Sequence, residues 1–308
     1  MNSSNLRIVT LLPSATEIVA ALGLTEAIVG RSHECDYPPE IQDRPICTEA
    51  QIDSKLPSSQ IDADVRQLVQ QALSIYQVKT DVLEKLQPTH IITQDQCDVC
   101  AVNFNLVEKA VSELTHSHPQ LISLQPKLLK EVWTDIERVA TQLGVEAQPV
   151  LNRLQSRLES CRQKTRELPE TSRPSVACIE WIDPLMATGN WNPELVEIAG
   201  GKSLFGILGE HSPYFTWEAL IKADPEIIII MPCGFDLERT RQESQQLIKR
   251  SEWSNLQAVK QGKVYITDGN AYFNRPGPRL VDSLEILAEI VHPELFDFGY
   301  KGTAWELF

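Results

Sequence analysis

Short runs of β-branched and aliphatic residues recur along this chain, each closed by a turn signal and followed by a stretch with helical spacing. That alternation restricts the fold more than any other feature. Residues 7–12 (RIVTLL) stop at Pro13 and Ser14, and an amphipathic stretch opens at Thr16 and Glu17 and closes at Gly23, which predicts strand, turn and helix. Further strands are predicted over 27–30 (AIVG), 90–93 (HIIT) and 121–124, with helices over 64–86 and 104–114. Strands of this aliphatic kind, joined through helices, belong to a parallel sheet with helices on both faces. Residues 94–102 then follow the carboxyl end of a strand, where open α/β sheets bind ligands.

The pattern changes after Leu128. A helix is predicted to about Leu143, broken at Gly144, and the next 23 or so residues to Leu168 hold no glycine and only Pro149 near their start. As one helix that segment would be on the order of 35 Å long, enough to brace two lobes. Pro169 and Pro174 close it, and strands return over 175–179, 227–231 and 264–267, each with a helix partner at 193–199, 216–222 and 278–291. The predicted fold class is therefore α/β, with two Rossmann-like lobes, each a mostly parallel sheet flanked by helices, joined by a long rigid helix. The N-terminal lobe spans 1–125, the helical segment 126–170 and the C-terminal lobe 171–308.

Charge removes whole classes of partner. With 28 Lys and Arg against 42 Asp and Glu the formal net charge is −14, so the average field repels phosphate backbones and anionic lipid, and no nucleic acid is expected. Apolar runs such as 227–231 fall far short of the ~20 residues of a membrane span, so no membrane insertion is expected. Residues 1–7 lack the basic segment and apolar core of a secretory signal, which predicts a cytoplasmic protein, or a periplasmic one if the true start lies upstream. Seven cysteines leave at least one thiol unpaired and do not resemble a small disulfide scaffold, in keeping with a reducing compartment.

Three constellations carry possible chemistry. His33 and Cys35 sit in one loop, Cys97 and Cys100 in another with C-x-x-C spacing, and both loops follow predicted strands. The spacing leaves open structural or pocket-lining thiols, a metal ion or direct ligand contact at the Cys/His cluster, and a reversible disulfide. The aromatic residues Tyr37, Trp181, Trp191, Tyr214, Tyr272 and Phe273 offer large apolar faces with a few polar tips, as a bulky flat ligand requires. Trp217, on a predicted helix, is expected to pack inward. Arg275 and Arg279 present guanidinium forks to a carboxylate, phosphate or amide, and Arg275, which precedes its helix, is the better candidate. No G-x-S-x-G elbow, phosphate loop or G-x-G-x-x-G fingerprint occurs, so neither catalysis nor a required cofactor is expected.

Several stretches together resemble a known family. They are residues 7–17 (RIVTLLPSATE), Gly23-Leu24, 29–32 (VGRS) and Asp36-Tyr37-Pro38 in the first half. In the second half they are 192–197 (NPELVE), Gly200-Gly201, 216–220 (TWEAL), 223–228 (ADPEII) and 275–279. In this order the chain is similar to the cobalamin-binding and iron-chelate periplasmic binding proteins of ABC importers over nearly its whole length. The resemblance implies a corrinoid held in a cleft between two lobes, with Tyr37 and Tyr272 at positions where aromatics contact cobalamin, and an ABC permease as partner. A transporter subunit and a cytoplasmic carrier or salvage protein both fit it. A heme or ferric-chelate binder is the nearest alternative, and a metal or redox enzyme using His33, Cys35, Cys97 and Cys100 is the alternative from another class.

Overall fold

A computed structural model describes residues 6–70, 75–94, 104–114 and 116–308. The chain divides into two compact units. The first comprises Met1–Leu56, Gln60–Pro126 and Lys130–Asn152; the second comprises Pro57–Ser59, Lys127–Leu129 and Arg153–Phe308.

In the first unit the order is β1 (Ile8–Thr10), α1 (Pro13–Ala21), β2 (Ile28–Arg31), β3 (Thr48–Ala50), α2 (Ser58–Gln70), β4 (Tyr76–Val78), α3 (Thr80–Leu86), β5 (His90–Gln94), α4 (Phe104–Ser112), β6 (Gln120–Leu124) and α5 (Leu129–Leu143). Four strands form a wholly parallel sheet in the order β2-β1-β5-β6, while β3 and β4 pair antiparallel beside it. Pro13 occupies the start of α1, where its missing N–H costs nothing and its fixed φ suits the helix. Gly30 in β2 lets the neighbouring side chains pack close: a Cβ there would lie 2.6 Å from Leu86 Cδ1 and 2.7 Å from the Cys47 sulfur, so those side chains would have to shift. Val9, Leu11, Ile91, Leu83 and Val107 fill the core between the sheet and its helices.

One expectation needs correcting here. The single helix over 64–86 is a helix, a strand and a second helix, because Tyr76 and Val78 pair with Ala50 and Thr48 across the small antiparallel ladder. That pairing, with strand-favouring side chains, overrides the local helical spacing.

α6 (Gln148–Thr165) follows Gly144, whose φ of +70° suits a residue without Cβ, and the boundary between the units falls inside this helix. Its 18 residues give a length of about 27 Å, shorter than the run to Leu168 suggested. At its end the Thr165 hydroxyl meets the carbonyl of Ile198 at 2.7 Å, and Arg173 caps the Thr165 carbonyl at 2.7 Å.

The second unit continues with β7 (Ser175–Trp181), β8 (Met186–Ala187), α7 (Asn192–Ile198), β9 (Lys202–Leu204), α8 (Trp217–Ala223), β10 (Ile227–Ile230), α9 (Leu237–Ile248), α10 (Gln257–Lys260), β11 (Val264–Thr267), α11 (Leu280–Val291) and β12 (Trp305–Leu307). Strands β9, β7, β10 and β11 run parallel, and β8 and β12 are antiparallel. Both β8 and β9 pair with β7: β9 covers its first half at Ser175–Ala177, and β8 its second half at Ile179 and Trp181. β10 is four consecutive buried isoleucines, as a strand covered on both faces demands. Among the described residues, no helix is long and apolar enough to cross a membrane.

Candidate functional site

In each unit the loops at the carboxyl ends of the parallel strands carry the chemistry-bearing residues, as open α/β sheets prescribe. In the first unit the loop after β2 is held from within. Arg31, 9 % exposed, donates to the carbonyls of Ser32 (3.1 Å), Cys35 (3.0 Å) and Gln42 (2.8 Å). His33 Nδ1 meets the Thr48 hydroxyl at 2.8 Å, and the Tyr76 hydroxyl donates to Glu34 at 2.8 Å. Burial, with Lys79 and Arg31 nearby, holds the His33 imidazole below its usual pKa. The Cys35 thiol is buried and accepts the Thr16 hydroxyl at 3.0 Å. The result is a stiff loop that leaves Tyr37 44 % exposed.

His33 and Cys35 each meet a different threonine, and no group of three metal-ligating side chains exists among the described residues. Cys97 and Cys100 lie outside the described residues. The metal expectation for this cluster finds no support here.

The carboxyl edge of the second unit is richer. Trp181 ends β7, and its ring lies 5.2 Å from that of Phe235, which follows β10. Tyr214, 54 % exposed, bridges to Met186, whose own strand partner is Trp181. Past β11, Asp268 accepts the backbone N–H groups of Asn270 (3.1 Å) and Ala271 (2.7 Å), while burial pushes its carboxyl up. This turn leads into Tyr272, whose ring carries the Arg279 guanidinium 4.4 Å from its centroid, a cation–π contact. Arg275, 6 % exposed, donates to the Asn270 side chain at 3.0 Å.

Two of the expected ligand-facing rings turn inward instead. Phe273 is fully buried and Trp191 is 3 % exposed; the indole N–H of Trp191 donates to the Phe273 carbonyl at 2.7 Å. Neither presents a ring to solvent, and the pair works as a buried brace under the Tyr272 turn. Trp217 stacks on Trp253, consistent with its inward reading.

The sequence reading missed an apolar rim. Ile207 (55 % exposed) and Leu208 (49 % exposed) stand on the loop past β9 that leads to Tyr214. That loop is tied by Gly209 N–H to the Asn190 carbonyl (3.0 Å), by Asn190 N–H to Glu210 (2.7 Å) and by Ser212, which donates to Glu180 at 2.7 Å. At its base Phe205 stacks on Phe215 at 4.7 Å. The one available signal was two adjacent large apolar residues between Gly206 and Gly209. A separate cavity of about 360 Å³, lined by Arg162, Thr165, Arg166, Arg173, Glu194, Glu197 and Ile198, offers charge but no aromatic face.

Two mostly parallel sheets with long loops at their carboxyl edges coincide with a known architecture, and residues 8–271 match the family model described as periplasmic binding protein. The chain belongs to the periplasmic binding protein family. Among curated members of similar sequence is an uncharacterized ABC transporter substrate-binding lipoprotein, YvrC, of Bacillus subtilis, 24 % identical over 294 residues that cover 94 % of this chain and 81 % of that one. Among solved structures, the periplasmic heme-binding protein RhuT of Roseiflexus superimposes with a TM-score of 0.68 at 19 % identity, covering 94 % of this chain and 98 % of that one. The periplasmic vitamin B12 binding protein BtuF of Vibrio cholerae does so with 0.64 at 19 %, covering 92 % and 96 %. At such identities the superpositions establish the fold of this periplasmic binding protein, and its ligand has to be argued from its own residues.

Proposed function

We propose that this periplasmic binding protein binds cobalamin or a related corrinoid, as the substrate-binding subunit of an ABC transporter or as a cytoplasmic carrier. The observation that carries the reading is the carboxyl edge of the second unit, where Trp181 ends β7, Tyr214 bridges to Met186 of β8, and Tyr272 and Arg275 follow in the turn past β11. A corrinoid offers apolar faces to such rings and a fringe of amides to a guanidinium. Within the second unit the apolar pair Ile207 and Leu208 adds contact surface of the same kind, and the first unit, taken by itself, presents the exposed Tyr37 ring. Affinity in such a site comes from pre-set apolar faces and a few polar fixes, so no catalytic group is called for. The relatives named vitamin B12-binding proteins support the assignment.

Heme is the second reading, favoured by the superposition on a heme-binding member and by the two arginines, Arg275 and Arg279, that could take propionates. Equilibrium titration with cyanocobalamin, cobinamide and hemin separates them, with Tyr37→Ala and Tyr272→Ala as controls. The corrinoid reading expects micromolar or tighter binding of cyanocobalamin, weakened about tenfold or more by either substitution. Hemin binding without cyanocobalamin binding moves the assignment to heme, and binding of none of the three rejects both.

A further inference from the structure

The first residues of α2 belong with the second unit: Pro57–Ser59 group there, while the helix from Gln60 groups with the first. Ser58 is fully buried there. Its N–H, one of the helix-start donors that have no partner within the helix, donates to Glu243 Oε2 at 3.2 Å. Its carbonyl accepts the indole N–H of Trp181 at 3.2 Å.

Glu243, on α9 and 8 % exposed, is itself fixed. Its other carboxylate oxygen pairs with Arg239 at 3.0 Å, and Gln246 donates to Oε2 at 2.7 Å. Arg239 also lies over the Phe235 ring at 5.0 Å, and the Phe235 ring is tilted at 46° against that of Trp181, with centroids 5.2 Å apart. Two residues of α9, Glu243 and Arg239, therefore bear on the Trp181 ring by two routes, through Ser58 to its N–H and through Phe235, which packs against it. A tryptophan needs only two torsions fixed, and this arrangement fixes them before any ligand arrives.

We propose that Glu243, which touches neither Trp181 nor the ligand surface, is a positioning residue for the Trp181 ring. The proposal rests on the reading that Trp181 faces a bulky flat ligand, and the experiment has one arm that does not depend on it. In the full chain, the Trp181 emission is isolated by subtracting the spectrum of Trp181→Phe. Affinity for cyanocobalamin and for hemin is measured by equilibrium dialysis in wild type, Glu243→Ala, Glu243→Gln, Trp181→Phe and the Glu243→Ala/Trp181→Phe double variant.

The proposal expects Glu243→Ala to shift the Trp181 emission to the red, lower its anisotropy and weaken the bound probe about tenfold. Glu243→Gln keeps an oxygen for the Ser58 N–H and recovers most of both signals. In the Trp181→Phe background the alanine substitution costs little more, because its effect passes through the ring. Equal weakening in both backgrounds overturns the proposal, and so does unchanged Trp181 emission in Glu243→Ala. If Glu243→Ala folds poorly, Glu243→Asp keeps the charge but draws it back from Ser58, and the same emission criterion applies. A wild-type chain that binds neither probe while Glu243→Ala still shifts the emission rejects the ligand class and leaves the positioning role standing.

Discussion

Replacing Arg157 tests how the second unit holds α6 against α11. The Arg157 guanidinium donates from Nε to Glu285 Oε1 at 2.9 Å and from Nη2 to Glu285 Oε2 and Asp282 Oδ1 at 2.5 Å each. The Tyr300 hydroxyl donates to the same carboxylates at 3.0 and 3.2 Å. Hydrogen bonding to Glu285 raises the Arg157 pKa, and burial beside two carboxylates raises that of Tyr300. Arg157→Leu leaves Glu285, only 8 % exposed at its side chain, without its guanidinium and beside Asp282, which keeps only the longer contact to Arg279 Nε at 3.8 Å. Breaking a buried pair costs about 3–5 kcal/mol, but the Arg157 side chain is 34 % exposed and water screens part of that, so about 2–3 kcal/mol is expected. At 2–4 °C per kcal/mol for a unit of this size, thermal unfolding followed by circular dichroism should show a Tm lower by about 5–10 °C. Arg157→Leu/Glu285→Leu removes the stranded carboxylate and should return to within about 1 kcal/mol of wild type. A double variant that loses the full sum of the two single losses would refute the reasoning, as would an Arg157→Leu protein with an unchanged Tm.

Gly189→Ala should lower Tm by about 3–10 °C, equivalent to about 1–3 kcal/mol. Its Cβ would sit 2.4 Å from the Glu210 carbonyl and 2.7 Å from backbone atoms of His211 and Ser212, none of which can swing aside; a Tm within 1 °C of wild type would show that the loop yields freely. The pKa values of His33 and His90 are both lowered, chiefly by burial, so the unfolded chain binds more protons than the native one once pH falls below about 6.5. Stability present above that pH should decline as pH falls from 7 towards the native values, and urea midpoints for a His33→Gln/His90→Gln variant should show a flatter slope there. Burial pushes the thiols of Cys47 and Cys178 up to about 12 and that of Cys161 to about 11, whereas Cys233 is exposed. Peptide mapping after brief iodoacetamide treatment at pH 8 should find Cys233 modified and the three buried thiols intact until the protein is denatured; early labelling of Cys178 would contradict the packing described around it.

How much of this was legible depended on whether an element's cause was local. β11 was, because the run VYIT is bounded by Gly262 on one side and by Asp268 and Gly269 on the other, and so was the presence of α1, although the helix begins at Pro13 and not at Thr16, since a proline is accommodated in a first turn as readily as in the turn before it. β4 was not, since what makes Tyr76–Val78 a strand is Thr48–Ala50, nearly thirty residues earlier. α9 escaped for another reason: its exposed face is charged and polar, so its clearest local mark was Asp236, whose carboxylate caps Arg239 N–H at 2.7 Å. The same distinction separates the site residues. Tyr37 could be read as surface from its place after a strand, but nothing local distinguishes it from Trp191, whose N–H finds its acceptor on Phe273, eighty-two residues on. An aromatic residue past a strand can therefore be a wall of the site or the brace behind it. The choice is made by where its polar edge is satisfied: Trp191 spends its N–H inside the core, Trp181 spends its own on Ser58 at the sheet edge and stays half-buried, and only the second arrangement leaves ring surface for a ligand.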